Sequence, residues 1–259
     1  MNNEDGFDFY SLKAKSGDTK SLIVILHGHN SHPSKYIKWA KKTQDENPDA
    51  DVILIRAPIA TQASEEEKER HNLKDADDLY TWFNLEKKTS QQAGLLVKHA
   101  FNRVAVVSRL NKFIDKQLEK RELEDENLAL MGFSLGGGVA LQTALRRKEK
   151  VAAVVCHSGA VLPFTKARKK PDTLVIMGDQ DELFYAEKKK LPKKASGLLK
   201  MFHKAGMKLN LHHDKSVKRL QKAGVPVEEK IFEGQPHRIT EESWNEATKF
   251  VASRLKPKK

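Results

Sequence analysis

Leu128-Ala129-Leu130-Met131-Gly132-Phe133-Ser134-Leu135-Gly136-Gly137-Gly138-Val139-Ala140-Leu141-Gln142-Thr143-Ala144-Leu145 is the stretch on which the fold turns. A short apolar run, a serine with glycine two places before and after it, and then a helix-forming run predict a strand, a sharp turn and a helix. That is the arrangement of a nucleophile elbow. Such a turn leaves no room for side chains at the flanking glycines, and it lifts the serine hydroxyl clear of the sheet. The backbone N–H of Leu135 then faces the same space as the hydroxyl. The bland reading is a buried strand end that needs small residues, so the elbow has to be tested against the rest of the chain.

Working outward, a nucleophilic serine needs a base, an acid to orient that base, and a second oxyanion donor, with the acid and then the histidine following the serine in the chain. Thr173-Leu174-Val175-Ile176-Met177 reads as a buried strand running into Gly178-Asp179-Gln180-Asp181-Glu182, which sets two candidate carboxylates, Asp179 and Asp181, at a strand end. Val227 to Phe232 reads as a further strand, and Glu233-Gly234-Gln235-Pro236-His237 places His237 on the loop after it. Upstream, Leu22-Ile23-Val24-Ile25-Leu26 ends in His27-Gly28-His29-Asn30, a turn whose following N–H, that of His29, can complete an oxyanion hole beside Leu135. Taken singly, each of these could be a loop histidine, a capping aspartate or a plain turn. All of them fall directly after strands, where open α/β sheets build their sites.

The same residues resemble the phospholipase/carboxylesterase group of α/β hydrolases, which includes the acyl-protein thioesterases, over roughly Leu22 to Leu255. Leu26-His27-Gly28 resembles its oxyanion loop, Arg56-Ala57-Pro58 its His/Arg-Ala-Pro segment, and Thr81-Trp82-Phe83-Asn84 its Ser-Trp-Phe-Asp. Gly132-Phe133-Ser134, Ser158-Gly159 with Leu162-Pro163, Gly178 to Asp181 and Gly234 to His237 follow in the family's order. The resemblance implies a single-domain α/β-hydrolase fold over 1–259, with a mainly parallel central sheet flanked by helices. It implies a catalytic Ser134, Asp181 and His237, with Asp181 chosen because Phe184 fills the last place of a Gly-x-x-Asp-x-x-apolar pattern. It also implies Trp82 and Phe83 near the substrate pocket, hydrolysis of carboxylic esters or thioesters, and no cofactor or metal. The chain departs from the family pattern at Leu135, where glutamine is usual, at Asn84, where aspartate is usual, and in the charged Ser64 to Arg70. A peptidase of the same fold, and a hydrolase-like protein that binds through its basic segment without turnover, are the alternative readings.

Composition fits an enzyme with one large core: 259 residues at 39% hydrophobic content. The lone Cys156, in Val151-Ala152-Ala153-Val154-Val155-Cys156, is expected as a small buried side chain of a central strand in a reducing compartment. Glu4, Asp5 and Asp8 do not suit a secretory leader, and no apolar run approaches the ~20 residues of a membrane span, so a cytoplasmic location is expected. A helix is expected over about Gln92 to Lys120, with a core-facing stripe of Val97, Phe101, Val104, Leu110, Ile114 and Leu118. The last helix is expected to begin after Thr240 as N-cap and to pack Trp244, Ala247 and Val251. The net charge is +12, and Glu187 to Lys222 holds twelve Lys/Arg against two acids, which is +10 from a segment (about 187–222) that reads as partly inserted. Lys188 to Lys222, with a short amphipathic candidate helix at Ala195 to Ala205, suits either an anionic membrane surface or a solvated insertion. No nucleic-acid motif accompanies the charge. His203, His212 and His213 are expected to be surface histidines, and 256–259 a basic tail. No motif fixes an oligomeric state.

Overall fold

The computed structural model describes residues 1–61, 79–83, 92–161, 167–183, 185 and 212–255, of which 92–103 by backbone alone. The expectations for Ser64 to Arg70, Asn84, Leu162-Pro163, Phe184, the Ala195 to Ala205 helix, His203, Lys188 to Leu211 and the tail lie outside the described residues. Among the described residues no helix is long and apolar enough to cross a membrane.

Among the described residues ten strands form in chain order: β1 (Asn2–Glu4), β2 (Phe7–Leu12), β3 (Ser21–Leu26), β4 (Ala50–Ile55), β5 (Ile59–Thr61), β6 (Leu79–Thr81), β7 (Leu128–Phe133), β8 (Ala153–His157), β9 (Asp172–Gly178) and β10 (Val227–Phe232). Five α-helices accompany them among the described residues: α1 (Ile37–Glu46), α2 (Gln92–Glu119), α3 (Leu135–Leu145), α4 (His213–Lys222) and α5 (Glu241–Arg254). Eight strands make one sheet in the order β1-β2-β4-β3-β7-β8-β9-β10, and β5 pairs with β6 separately. From β4 to β10 every pairing in the large sheet is parallel; β1 and β2 add an antiparallel edge.

The central strands are continuous apolar runs because both faces are covered. Leu22, Val24 and Leu26 of β3 face one core with α2, α3 and α4, whereas Ile23 and Ile25 face a second core with α1 and α5. Cys156 is buried in β8 as expected, and burial pushes its thiol up to about 12. The far edge strand β10 is exposed along Glu228, Glu229 and Lys230, charges that discourage another chain from pairing there. Thr240 caps α5 through Ser243, and Trp244, Ala247 and Val251 are buried as the periodicity predicts.

Two expectations need correction. Val104 is 44% exposed; the buried face of α2 runs through Val106, Val107, Leu110, Phe113, Ile114 and Leu118. Counting back three and four residues from Leu110 lands on Val107 and Val106, whereas a step of six turns Val104 away from the core. His213 is not a surface histidine: it is buried, with Nε2 2.6 Å from Glu229 Oε1 of β10. The reason is that the basic segment does not stay an insertion to its end. From His213 onward it is α4, which buries Val217 and Leu220 and bonds to Val161 through Ser216 Oγ at 3.1 Å and Arg219 at 3.0 Å. Lys215, Lys218 and Lys222 of α4 remain exposed.

Candidate active site

The carboxyl ends of β3, β7, β8, β9 and β10 point to one edge of the sheet, and the candidate residues follow them. Ser134 sits between β7 and α3 at φ 54, ψ −122, a conformation that costs a non-glycine residue on the order of 1–3 kcal/mol. The flanking glycines make it possible. A Cβ on Gly132 would lie 2.3 Å from the Gly136 carbonyl oxygen, and one on Gly136 would lie 2.3 Å from that of His27. The Ser134 N–H donates to the His157 carbonyl at 2.8 Å, which hangs the elbow from the end of β8.

His237, from the loop after β10, places Nε2 2.9 Å from Ser134 Oγ, and its Nδ1 donates to Asp181 Oδ2 at 2.7 Å. A carboxylate beside Nδ1 fixes the tautomer that leaves the Nε2 lone pair free to accept the serine proton. Asp181 has no exposed side-chain surface, and its other oxygen accepts from the Leu183 N–H at 3.0 Å. Asp179, the second candidate carboxylate, does not reach the imidazole through any of its hydrogen bonds; its Oδ1 accepts from the Gly234 N–H at 2.7 Å and so fastens the loop on which His237 sits. That loop is also held where the Gln180 N–H donates to the Gln235 carbonyl at 3.1 Å.

The His27-Gly28 turn lies against the elbow. A Cβ built on Gly28 would be 3.5 Å from Ser134 Cβ, so the backbone leading to His29 passes beside the serine. His27 itself is wholly buried. Its Nδ1 donates to the Gly28 carbonyl at 2.8 Å and its Nε2 accepts from the Ala57 N–H at 3.0 Å, assignments forced because a carbonyl only accepts and an amide N–H only donates. Desolvation holds its pKa down at about 3, so it is a neutral brace. The Gly28 N–H donates to Tyr36 Oη at 3.1 Å, and Ser31 and Tyr80 exchange backbone bonds at 3.3 and 2.9 Å. His29 Nδ1 lies 2.6 Å from Thr81 Oγ1. Leu135 opens α3, where its N–H is one of the first four without an intrahelical acceptor.

Trp82 is fully buried and Phe83 nearly so, both in the core, and Trp82 Nε1 donates to the His27 carbonyl at 2.8 Å. Through that bond Trp82 holds the His27-Gly28 turn beside the elbow. Sequence reading missed His157, which is buried at the end of β8 with Nε2 2.8 Å from Ser243 Oγ. Its one signal is a histidine closing an apolar strand, which looks the same as a residue at the start of a loop. The structure therefore brings Ser134, His237 and Asp181 together, lays the Gly28 turn and the start of α3 beside them, and has Asp179 and Trp82 hold the loops around them. Among the described residues no group of three His, Cys, Asp or Glu is arranged to hold a metal ion.

This sheet, with a strained serine at the strand-to-helix turn and an Asp–His pair on the neighbouring strand ends, defines an α/β hydrolase. The family model described as phospholipase/carboxylesterase matches residues 9–184, and the chain belongs to that family of ester hydrolases. The match stops short of His237, whose place at the site rests on the geometry. Solved structures agree in fold: the esterase PE8 is 23% identical with a TM-score of 0.69 over 96% of this chain and 99% of that one. SOBER1 of Arabidopsis thaliana is 18% identical with a TM-score of 0.61 over 91% and 99%, and a carboxylesterase of Bacillus cereus is 14% identical with a TM-score of 0.61 over 96% and 94%.

Proposed function

We propose that the protein is a serine hydrolase that cleaves carboxylic esters or thioesters through an acyl-enzyme intermediate. The observation that carries the reading is the unbroken hydrogen-bonded line from Asp181 through both nitrogens of His237 to Ser134 Oγ, at 2.7 and 2.9 Å, ending at a serine held at positive φ. Ser134 Oγ attacks the acyl carbon while His237 Nε2 takes its proton, and Asp181 stabilises the imidazolium that results. The developing oxyanion is received by the N–H groups of His29 and Leu135, each contributing roughly 3 kcal/mol to lowering the barrier. His237 then returns the proton to the departing alcohol or thiol. A water activated by the same nitrogen attacks the acyl-enzyme, and Ser134 is regenerated with release of the acid.

The test is Ser134→Ala, assayed with 4-nitrophenyl esters of increasing acyl length, an acyl-thioester and a fluorophosphonate probe. Hydrolysis and covalent labelling are both expected to vanish while the melting temperature stays near that of the wild type. Labelling or turnover at wild-type level in the variant would sink the assignment. The length series reads the depth of the acyl site, and the thioester reads the leaving-group preference.

A further inference from the structure

His157 is bonded on one side to the backbone of Ser134 and on the other to the cap of α5, from which the His237 loop hangs. Its carbonyl accepts from the Ser134 N–H at 2.8 Å, so its backbone sets where the nucleophile sits. Its side chain reaches the other way, with Nε2 2.8 Å from Ser243 Oγ in the first turn of α5. Ser243 and Thr240 form a reciprocal cap: the Ser243 N–H donates to Thr240 Oγ1 at 3.2 Å and the Thr240 N–H to Ser243 Oγ at 3.1 Å. Thr240 Oγ1 donates to Gln235 Oε1 at 2.8 Å, and Gln235 Nε2 donates to the Arg238 carbonyl at 3.0 Å, closing a bracket around His237. Gln235 and Ser243 are buried, so water does not compete for these bonds. Phe133 lies between the two imidazoles, its ring centroid 5.4 Å from that of His157 and 5.0 Å from that of His237.

We infer that His157 is a positioning residue for hydrolysis, fixing the reach of His237 to Ser134 by bolting the cap of α5, and through it the His237 loop, to the strand end that carries the elbow. This rests on the serine-hydrolase reading above. Packing alone does not account for an imidazole here. His157 is fully buried, and its Nδ1 has no hydrogen-bond partner among the described residues, a cost that a leucine or phenylalanine would avoid while filling the space. What the imidazole adds is the bond to Ser243. The ring nitrogen opposite that bond can only be an orphan acceptor or an orphan donor, and the milder of the two is the acceptor. That leaves Nε2–H donating to Ser243 Oγ, whose own proton can go to the Thr240 carbonyl at 3.2 Å.

The experiment compares His157→Leu, His157→Gln and Ser243→Ala by kcat and KM on a short 4-nitrophenyl ester, normalised to sites titrated by the burst, with the low-field proton of the His237 Nδ1–H followed by NMR. His157→Leu is expected to lower kcat per titrated site roughly tenfold to hundredfold, the scale of a misplacement of about an ångström, with KM within about twofold and the low-field resonance shifted or broadened. His157→Gln, whose amide can still donate to Ser243, should restore most of the loss. Ser243→Ala should reproduce it, and the His157→Leu/Ser243→Ala double variant should be no slower than the slower single variant. A lower melting temperature with wild-type kcat per site and an unmoved resonance would overturn the proposal, as would His157→Gln as slow as His157→Leu. If His157→Leu does not fold, Ser243→Ala and His157→Gln still decide. A wild-type protein that fluorophosphonate does not label would instead bring down the hydrolase reading on which the inference stands.

Discussion

Replacing Asp181 with asparagine separates the two candidate carboxylates, and the geometry sets the size of the effect. One oxygen of Asp181 accepts from the Leu183 N–H at 3.0 Å and the other from His237 Nδ1 at 2.7 Å. Asparagine can supply only one acceptor. If its oxygen keeps the Leu183 bond, its NH₂ faces Nδ1, which must then give up its proton; the proton moves to Nε2 and points at Ser134 Oγ. The imidazole can no longer take the serine proton, and kcat should fall roughly 10³–10⁴-fold, about 4–5.5 kcal/mol in the barrier. If the amide turns over, NH₂ meets the Leu183 N–H in a site without solvent, and the loss appears as about 1–3 kcal/mol of stability instead. Asp179→Asn differs in kind, because its amide oxygen can still accept from the Gly234 N–H now bound at 2.7 Å. Only the charge assistance is lost, so kcat should stay within about threefold and stability within ~1 kcal/mol. The assay is kcat and KM on 4-nitrophenyl acetate, with the rate of fluorophosphonate labelling and a thermal melt for each variant. Wild-type kcat together with a wild-type melt in Asp181→Asn, or a larger loss of kcat in Asp179→Asn, would refute the assignment of the orienting acid.

Gly136→Ala should be poorly tolerated, because the new Cβ would lie 2.3 and 2.4 Å from the backbone carbonyl oxygens of His27 and Leu26; a thermal melt should show roughly 1–3 kcal/mol of overpacking and the ester assay a reduced kcat, and a wild-type melt would count against the contact. Acid should destabilise the fold through two buried histidines. His27 and His157 are each held down at about 3 by desolvation, against 6.5 in the unfolded chain, so below about pH 6.5 the unfolded state binds a proton on each that the folded state does not. Stability then falls as pH drops, with a slope approaching ~2.7 kcal/mol per pH unit from the pair, and His157→Leu should remove about half of that slope in denaturant titrations between roughly pH 4 and 5.5. An unchanged slope would mean that His157 is protonated in the folded state.

The sheet was legible because each central strand is an apolar run long enough to be covered on both faces, and the elbow because only glycine fits at 132 and 136. The N-terminal hairpin carries its own signal: Asp5 and Gly6 both take positive φ, at 51° and 74°, as an Asp-Gly turn demands, and Phe7 and Phe9 alternate inward. Val104 falls outside the buried face because the apolar spacing through it is only close to 3.6. The partners of His27 were illegible, since Trp82 comes from 55 residues away and Ala57 from 30, and neither bond leaves a periodic trace in the sequence.

Ser134 and His237 are 103 residues apart, and His237 and Asp181 are 56 apart, yet their meeting could be expected from the sequence. The cause is topological. In a parallel sheet every strand ends on the same edge, so a residue that follows a strand is confined to a narrow rim whatever its distance along the chain. With β7, β8, β9 and β10 adjacent in that order, the serine after β7, the acid after β9 and the histidine after β10 have only loop conformation left to decide. Which of two nearby carboxylates faces the imidazole is a matter of that loop, and periodicity says nothing about it. Here the Leu183 and Gly234 N–H groups divide Asp181 and Asp179 between the two tasks, and the outcome depends on where two amide protons point.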